Sequence, residues 1–322
     1  MTKGVCTMST PTSPHTPSAR ARWRWPSTQT IRRLVQLGVV GFIAVVVGRQ
    51  LVYGETVPSA EAFCPFGGVE TLYSYLSSGR TISHTHLSNL VLFLALMVTT
   101  IVARSAFCGW LCPLGTIQEW VASFSRWLQR RIPPLGRAMR ALNKALNPRA
   151  ARGASVGPTL GQRLDHWLSY GRYLVLAWII GGTIVYGTMV FRDYDPWSAL
   201  LSLAELQLSV GTVVLAVSLV ASLFVERAWC RYACPLGATI SLLGRFSPVR
   251  IARTASACTS CGLCTQHCPM GIDVARADAV TDLRCISCLT CVSDCPRPEA
   301  LDLRLAVPGS APAPVAAPTS GD

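Results

Sequence analysis

The sequence is poor in charge, poorer in acid and poorest in histidine. Charged residues make up 14% of its 322, Asp and Glu number 16 against 29 Lys and Arg, and there are five His. So little charge beside 50% hydrophobic residues excludes a disordered or fibrous chain and argues against an ordinary soluble enzyme. No nucleophile or acid–base dyad marks a substrate pocket. Plentiful instead are apolar sequence and cysteine, of which there are 14 residues. Long apolar runs need lipid or a very large core, and a chain of this length broken by basic loops cannot build such a core. The net charge of +13 raises the question of nucleic acid, which the placement of the charges answers.

Residues 1–30, rich in Ser, Thr, Pro and Arg and without period, read as a disordered basic tail. Four apolar stretches follow, at about Leu34–Tyr53, Leu87–Ala103, Tyr173–Phe191 and Leu206–Val225, each near the roughly 17–25 residues that cross the hydrocarbon core. The connector between the second and third carries Arg126, Arg130, Arg131, Arg137, Arg140, Lys144, Arg149, Arg152 and Arg163 against Glu119 and Asp165. The other two connectors are acidic: Glu55, Glu61 and Glu70 face Arg80, and Asp193, Asp195 and Glu205 face Arg192. Basic loops stay in the cytoplasm, so the expectation is a multi-pass protein of the inner (cytoplasmic) membrane, bathed in lipid, with both termini inside and no nucleic-acid partner. The first stretch reads as a retained helix and not a signal peptide, since it ends well before the cleavage-like Ala60-Glu61-Ala62. Arg32-Arg33 reads as a membrane-edge anchor rather than a twin-arginine signal.

The chain looks duplicated. Each half runs span, short outer loop, span, and then a Cys-x3-Cys-Pro-Leu-Gly motif, Cys108 to Gly115 and Cys230 to Gly237. The outer loops correspond too, with Cys64-Pro65-Phe66 in one and Asp195-Pro196-Trp197 in the other. Halves that start and end inside imply a parallel repeat about an axis along the membrane normal. After Gly115, Ile117, Trp120, Val121, Phe124, Trp127 and Leu128 recur at helical spacing beside Arg126, Arg130 and Arg131, the pattern of a basic amphipathic helix on the inner membrane surface.

Cys258-x2-Cys261-x2-Cys264-x3-Cys268-Pro269 returns as Cys285-x2-Cys288-x2-Cys291-x3-Cys295-Pro296. A [4Fe–4S] cube needs four thiolates around a compact cage, and three from one tight loop plus one from a distance supply them without strain. In two-cluster ferredoxins the fourth Cys serves the other cube. Cys258, Cys261, Cys264 and Cys295 are therefore assigned to one cluster, and Cys285, Cys288, Cys291 and Cys268 to the second. Val249–Arg253 and Leu301–Leu305 are expected to pair as edge strands, with Ile272–Leu283 bridging the runs and His267 an exposed turn residue. Zinc sites usually show two Cys-x2-Cys pairs with a longer gap, and disulfides do not suit a reducing cytoplasm.

In the two Cys-x3-Cys-Pro motifs, positions i and i+4 share a helix face about 6 Å apart. Their parallel side chains make poor disulfide geometry but suit a shared metal. The repeat axis would bring Cys108, Cys112, Cys230 and Cys234 together at the cytoplasmic membrane edge as a candidate redox or metal site. It would hold a further iron–sulfur cluster, iron or zinc, or work as thiol/disulfide pairs; the plain alternative is small buried packing. Cys64, alone on the outer face, and Cys6, in the tail, have no assigned role.

On these motifs the chain resembles the membrane-bound 4Fe–4S polyferredoxin family, the NapH-, NosR- and MauN-like membrane components of quinol dehydrogenases. The resemblance rests on Phe107-Cys108-Gly-Trp-Leu-Cys112-Pro-Leu-Gly115, on Trp229-Cys230-Arg-Tyr-Ala-Cys234-Pro-Leu-Gly237 and on the paired ferredoxin runs, and covers roughly Leu34 to Leu305. It implies four helices, two cytoplasmic [4Fe–4S] clusters and electron transfer between the quinone pool and a partner reductase or maturation system. The expected fold is an α-helical membrane protein of four transmembrane helices in a parallel two-fold repeat, with a C-terminal α+β bacterial-type 2[4Fe–4S] ferredoxin domain. Its parts are a tail at 1–30, a membrane domain at 31–245, a ferredoxin domain at 246–306 and a second disordered tail at 307–322. The sequence shows no counterpart of the large flavin-bearing extension of NosR-like members, so neither a covalent flavin nor a nitrous-oxide role is expected.

Quinol oxidation needs an amphipathic pocket and a group that accepts protons as electrons leave. The outer loops offer Glu70, His84, His86 and Asp195 near Phe66, Tyr73, Tyr75 and Trp197, although helix capping and an interfacial aromatic belt account for the same residues. On the inner side Glu119 and Glu226 stand beside the cysteine motifs as candidate proton relays, with pairing to Arg227 the alternative for Glu226. The leading expectation is an electron conduit, from quinol through the inner cysteine site and two cubes to a partner oxidoreductase or ferredoxin-like protein. Any enzymatic role is that of the electron-transfer component of a quinol dehydrogenase. The alternatives are a maturation factor that reduces a metal ion or disulfide for a metalloenzyme, and the iron–sulfur membrane anchor of a larger oxidoreductase.

Overall fold

A computed structural model gives the fold and describes residues 27–53, 87–134, 160–186, 191, 194–202, 209–297 and 299–305. Helix α1 (Thr28–Tyr53) starts inside the segment expected to be a disordered tail. The Ser27 hydroxyl accepts the Thr30 N–H at 3.2 Å and satisfies one of the first-turn donors. Helix α2 (Leu87–Ala103) ends where Arg104 turns the chain left-handed, at φ 58°. The five-residue α3 (Ala106–Trp110) carries Cys108, Cys112 is extended, and Pro113 opens α4 (Pro113–Arg131) at a position where its missing N–H costs nothing. The second half repeats this local path. After α5 (Leu160–Ser169), α6 (Gly171–Tyr186), α7 (Pro196–Ser202) and α8 (Val210–Ser222), Arg227 turns left-handed at φ 56°. Then α9 (Ala228–Tyr232) carries Cys230, Cys234 is extended, and Pro235 opens α10 (Pro235–Leu243).

Among the described residues two helices have the length and apolarity to cross a membrane, Thr28–Arg49 and the run Leu164–Tyr186 through α5 and α6, at the first and third expected spans. Helix α2 keeps its expected 17 residues, about 25 Å and the low end of the crossing range, whereas α8 with 13 extends about 20 Å, short of the roughly 30 Å hydrocarbon core. The fourth span was expected at Leu206–Val225. Its helix begins only at Val210, where Ser209 and Thr212 cap each other at 3.4 Å, and ends at Ser222. Large apolar side chains nonetheless point outward from each of these helices, among them Phe42 and Val45, Leu94 and Val98, Ile184 and Val185, Val213 and Val217. Polar residues turn inward, with Gln36, Thr100, Ser218 and Ser222 buried. That inversion of the soluble pattern suits lipid.

Helix α4 packs its small and polar side against α8: Ser125 Oγ donates to the Leu223 carbonyl at 2.8 Å and Ser222 Oγ to Gln118 Oε1 at 3.2 Å. Its opposite face leaves Trp120, Phe124 and Trp127 exposed, with Phe124 stacked on Trp127. Such an aromatic stripe beside Arg126, Arg130 and Arg131 fits the amphipathic surface helix expected there.

The C-terminal module holds a two-stranded antiparallel sheet, β1 (Val249–Arg253) with β2 (Leu301–Leu305), paired from Val249 opposite Leu305 to Arg253 opposite Leu301. The bridging segment is tied to β1 by Val280 N–H to the Ile251 carbonyl, 2.8 Å, and Arg253 N–H to the Asp278 carbonyl, 2.7 Å. Ile251, Met270, Ile272, Val274, Val280, Ile286 and Leu301 form the core beneath, together with cysteines from both runs. The expected C-terminal tail, most of the N-terminal one, Cys6, Cys64 and residues 135–159 lie outside the described residues.

Candidate iron–sulfur site

The two ferredoxin runs fold into one backbone drawn twice. Ser260 and Ser287, the third residue of each run, are both left-handed, at φ 54° and 50°. So are the residues that follow the second cysteine, Gly262 at 72° and Leu289 at 58°. One helical turn then carries the third cysteine, in α11 (Leu263–Gln266) and α12 (Thr290–Ser293). Glycine adopts that turn freely, whereas leucine there costs about 1–2 kcal/mol. Leu289 meets this cost at a position where its side chain lines the cysteine cavity.

Cys268, Cys285, Cys288 and Cys291 surround one small apolar cavity walled by Ile251, Met270, Ile272, Val280 and Ile286. All four are buried, and Cys291 interacts electrostatically with Cys288, Cys285 and Cys268. Burial pushes the Cys285 thiol up to about 11 and Cys291 higher still, so these sulfurs stay protonated unless a metal's charge stabilises the thiolate. Four convergent thiols in a dry cage fit a cube. Cys264 interacts with Cys258 and Cys261, and is itself buried in the shared core within electrostatic reach of Cys291. Here Cys261 is exposed, and backbone N–H donation at Ser260 pulls Cys258 below the usual thiol range. Cys295 packs against the same core, and its thiol donates to the Arg297 carbonyl at 3.1 Å. Among the described residues no three His, Cys, Asp or Glu converge tightly enough for a single ion. A lone tetrahedral zinc needs sulfurs only about 3.8 Å apart, whereas a cube holds its thiolates wider. His267 is a half-exposed turn residue whose Nδ1 lies 2.7 Å from Asp294 Oδ2.

The four cysteines of the Cys-x3-Cys-Pro motifs come together. Cys108 interacts electrostatically with Cys112 and Cys230, and Cys234 with Cys230, Cys108 and Cys112. Burial raises all four thiols, Cys230 to about 12, and all four are free. The group adjoins the ferredoxin module. Cys108 packs on the core that holds the second run, and a side chain at Gly109 would run into the Ile286 carbonyl. The indole of Trp110 donates to the Ser287 carbonyl at 3.0 Å and Gln29 Nε2 to the Cys288 carbonyl at 2.9 Å. Arg104 donates to the carbonyls of Val280 and Asp282 at 2.6 and 2.7 Å.

Buried arginines knit this junction. Arg227 is fully buried and donates to the Cys108 carbonyl at 2.5 Å and to Glu119 at 3.0 Å, while its charge reaches Cys230, Cys112 and Cys288. Its guanidinium lies under Gly115, where a Cβ would come within 2.9 Å of Nη1. Glu119 also pairs with Arg32. Arg32 is therefore not a membrane-edge anchor: α1 extends beyond its apolar run and buries this side chain, which donates to the Gly109 carbonyl at 2.8 Å. Burial favours a protonated Glu119, but Arg227 and Arg32 outweigh it and hold the carboxyl below its usual range, which makes it a poor proton relay at neutral pH. Glu226 pairs with Arg126 at 3.3 Å, so the partner of Arg227 is Glu119. A second acid, Asp165, binds Arg231, accepts from the Tyr232 hydroxyl at 2.6 Å, and meets Arg284 of the ferredoxin module at 3.4 Å. The signal for these residues is an Arg just before each motif, Arg104 ahead of Cys108 and Arg227 ahead of Cys230.

Of the quinone candidates, Glu70, His84 and His86 lie outside the described residues. Asp195 was expected in an outer loop far from the thiols, yet it lies within electrostatic reach of Cys112. The reason is that α7 turns back along α8: Ala199 is buried with Leu114 and Leu215, and Trp197 and Cys112 pack on the same cluster. Asp195 Oδ1 accepts the Trp197 N–H at 3.1 Å, burial pushes the carboxyl up to about 6, and the buried Trp197 indole N–H has no partner among the described residues.

Fold and site define a 4Fe–4S protein of ferredoxin type built onto a set of apolar helices. A model of a 4Fe–4S binding domain matches residues 85–133 and 208–253, around each Cys-x3-Cys-Pro motif, and a model of a 4Fe–4S dicluster domain matches 250–296. YccM of Escherichia coli K12, named for electron transport, is 29% identical over 92% of this chain and 82% of its own. The ferredoxin-type protein NapH of the same strain is 26% identical over 85% and 88%. The methylamine utilization ferredoxin-type protein MauN of Methylorubrum extorquens is 29% identical over 52% and 48%. No solved structure matches significantly. In its domain matches and its relatives the chain is similar to the ferredoxin-type 4Fe–4S electron-transport proteins.

Proposed function

We propose that the chain transports electrons between the quinone pool and a partner redox protein through two [4Fe–4S] clusters on the cytoplasmic side of a four-span membrane domain with two-fold repeat. Cys258, Cys261, Cys264 and Cys295 hold one cluster, and Cys285, Cys288, Cys291 and Cys268 the other. When bound, the clusters supply one-electron carriers; the protein supplies burial, spacing and charge. The reading is carried by one observation: Cys108 of the inner thiol group shares a packed core with the cavity of Cys285, Cys288 and Cys291. The inner group, Cys108, Cys112, Cys230 and Cys234, is the redox or metal station that faces the membrane. Asp195 is the proton acceptor on the quinol side, since its carboxyl, pushed up to about 6, can exchange protons near neutral pH. The names of YccM, NapH and MauN, which speak of electron transport and ferredoxin type, agree with this function.

Anaerobic EPR with metal analysis on detergent-purified protein tests it. The expected result is about eight iron atoms per chain and clusters reduced by a quinol analogue. Zinc in place of iron, or about four iron atoms, rejects the two cubes. Clusters that dithionite reduces and quinol does not reject the quinone arm.

A further inference from the structure

We propose that the two cysteine cages have different stations: the Cys285–Cys288–Cys291–Cys268 cage is the inner one, coupled to the membrane half, and the Cys258–Cys261–Cys264–Cys295 cage is the outer one, from which electrons leave to a soluble one-electron acceptor protein. The inference rests on the electron-transfer function proposed above and adds an order to it.

The asymmetry lies in what touches each run. The second run is held to the helices along its whole first loop. Gly109 admits the Ile286 carbonyl only because it has no side chain, and its Cβ position also lies 3.4 Å from the Cys288 backbone. Trp110 and Gln29 bond the carbonyls of Ser287 and Cys288 at 3.0 and 2.9 Å. On the opposite wall Arg231 presses its guanidinium against Gly271, which is left-handed at φ 67° and follows Cys268 by three residues. The charges run the same way, since Arg227 acts on Cys112, Cys230 and Cys288 together, and Arg104 acts on Cys285.

The loop of the first three cysteines of the first run has no such bond to the helices among the described residues, although Cys264 at its end is buried in the core shared with Cys291. Among the described residues, the backbone bonds of its loop run to Ala255, Gly262 and Leu263, all within the module. Thr259, Ser260 and Cys261 are exposed, and the nearest cation acting on Cys258 is Arg253 of β1. Electrons travel singly between such centres, so a donor that gives two electrons and two protons, a hydroquinone, feeds the inner cage twice per turnover. Its protons stay on the membrane side, and each electron leaves through the outer cage to reduce one acceptor molecule.

The test uses the full-length protein in detergent with both clusters loaded, and reads EPR rather than turnover. A water-soluble paramagnetic lanthanide chelate broadens cluster signals by proximity. Cys261→Ser and Cys288→Ser each perturb one cluster and so assign the two signals. The proposal expects the chelate to broaden the Cys261-dependent signal and spare the Cys288-dependent one in the unmodified protein. It further expects Cys261→Ser to leave the inner cluster reducible by a quinol analogue while reduction of the soluble acceptor is lost. Equal broadening of both signals, or broadening of the Cys288-dependent signal alone, overturns the order. If quinol reduces neither cluster while the broadening difference stands, the quinone reading fails and the inner–outer assignment holds. Should the serine variants fail to accumulate, Gly109→Ala supplies the assignment, because it shifts the inner signal alone if the order is right and the outer one if it is wrong.

Discussion

Replacing Glu119 by Gln should destabilise the junction more than a single surface ion pair ever could. One carboxylate there answers two buried guanidiniums: Oε1 accepts from Arg32 and, at 3.0 Å, from Arg227 Nε, and Oε2 accepts from Gln36 at 3.1 Å. The side chains of Arg32, Arg227 and Glu119 are 7, 0 and 14% exposed, so water screens little of this. Gln keeps the shape and part of the bonding but removes the charge, leaving two like charges buried side by side. Removing one partner of a buried pair costs about 3–5 kcal/mol, most of it from the charge left behind. For a chain of this length 1 kcal/mol moves the melting temperature by about 1.5 °C, so the expected fall is about 4–8 °C. The assay is thermal unfolding of the loaded protein in detergent, followed by the visible absorbance of its clusters at one fixed scan rate, since such unfolding is kinetically controlled. Adding Arg227→Gln to Glu119→Gln should recover part of the loss, because it removes one of the stranded charges. A melting temperature within about 1 °C of the parent, or strictly additive losses in the double variant, would refute the view of these three residues as one buried unit.

Acid should dissolve the same unit. The carboxyl of Glu119 is depressed below its ordinary 4.5, so its contribution is present above that value and is lost as pH falls through the depressed folded value; melting measured downward from pH 5 should drop in the parent and stay flatter in Glu119→Gln. Gly109→Ala forces a methyl against the Ile286 carbonyl and should cost about 1–3 kcal/mol, read as lower cluster content and easier proteolysis between the helices and the ferredoxin module. An unchanged yield and digestion pattern would mean that the junction is loose. Leu289→Gly and Leu289→Ala both strip one wall of the inner cavity, but only glycine relieves the left-handed backbone, so the Gly variant should be the more stable of the two by about 1 kcal/mol; equal stability would disprove the strain. Cys295→Ala should spare the cluster of Cys285, Cys288 and Cys291 in EPR, and damage to that cluster alone would reject the crossed ligand assignment.

How far the sequence could be read depended on how local each structure is. The ferredoxin runs are local: spacing, the trailing Pro and the short apolar strands Val249–Arg253 and Leu301–Leu305 are written within sixty residues, and the paired strands keep those bounds. The duplicated Cys-x3-Cys-Pro backbone was equally legible, because an extended cysteine followed by proline at the first helical position needs no distant partner. Helix lengths were less so. Hydropathy marked Leu206–Val225 as apolar, but a reciprocal Ser209–Thr212 cap decides where α8 starts. Least legible was the junction, because Gly109 has its reason in Ile286 and Arg104 in Val280, residues more than 170 positions away. The turn of α7 onto Leu114 likewise depends on a contact that no periodicity encodes.

Charge shows best why counting could not replace structure. A basic excess beside long apolar runs reads as topology, and much of the excess here sits in the N-terminal segment and in residues 126–163. Yet the arginines nearest the cysteines are withdrawn from both water and lipid: Arg32, Arg104, Arg227 and Arg231 are each 6% exposed or less. Burying that many cations is unfavourable unless negative charge answers them, and Glu119 and Asp165 are too few. Arg231 Nε and Nη1 and Arg172 Nε find no hydrogen-bond partner among the described residues. Cysteines lie within reach of these charges: Arg227 acts on Cys112, Cys230 and Cys288, Arg104 on Cys285 and Arg284 on Cys268. Burial alone drives the thiols of both groups toward the protonated form, so any of them that is to serve as a ligand needs positive charge beside it. The buried guanidiniums favour the thiolate form of the cysteines beside them, and through their fixed forks they tie the Cys-x3-Cys-Pro helices to the second run. Lysine could supply the charge but not that span, so on the proposed function the arginines matter as much as the cysteines beside them.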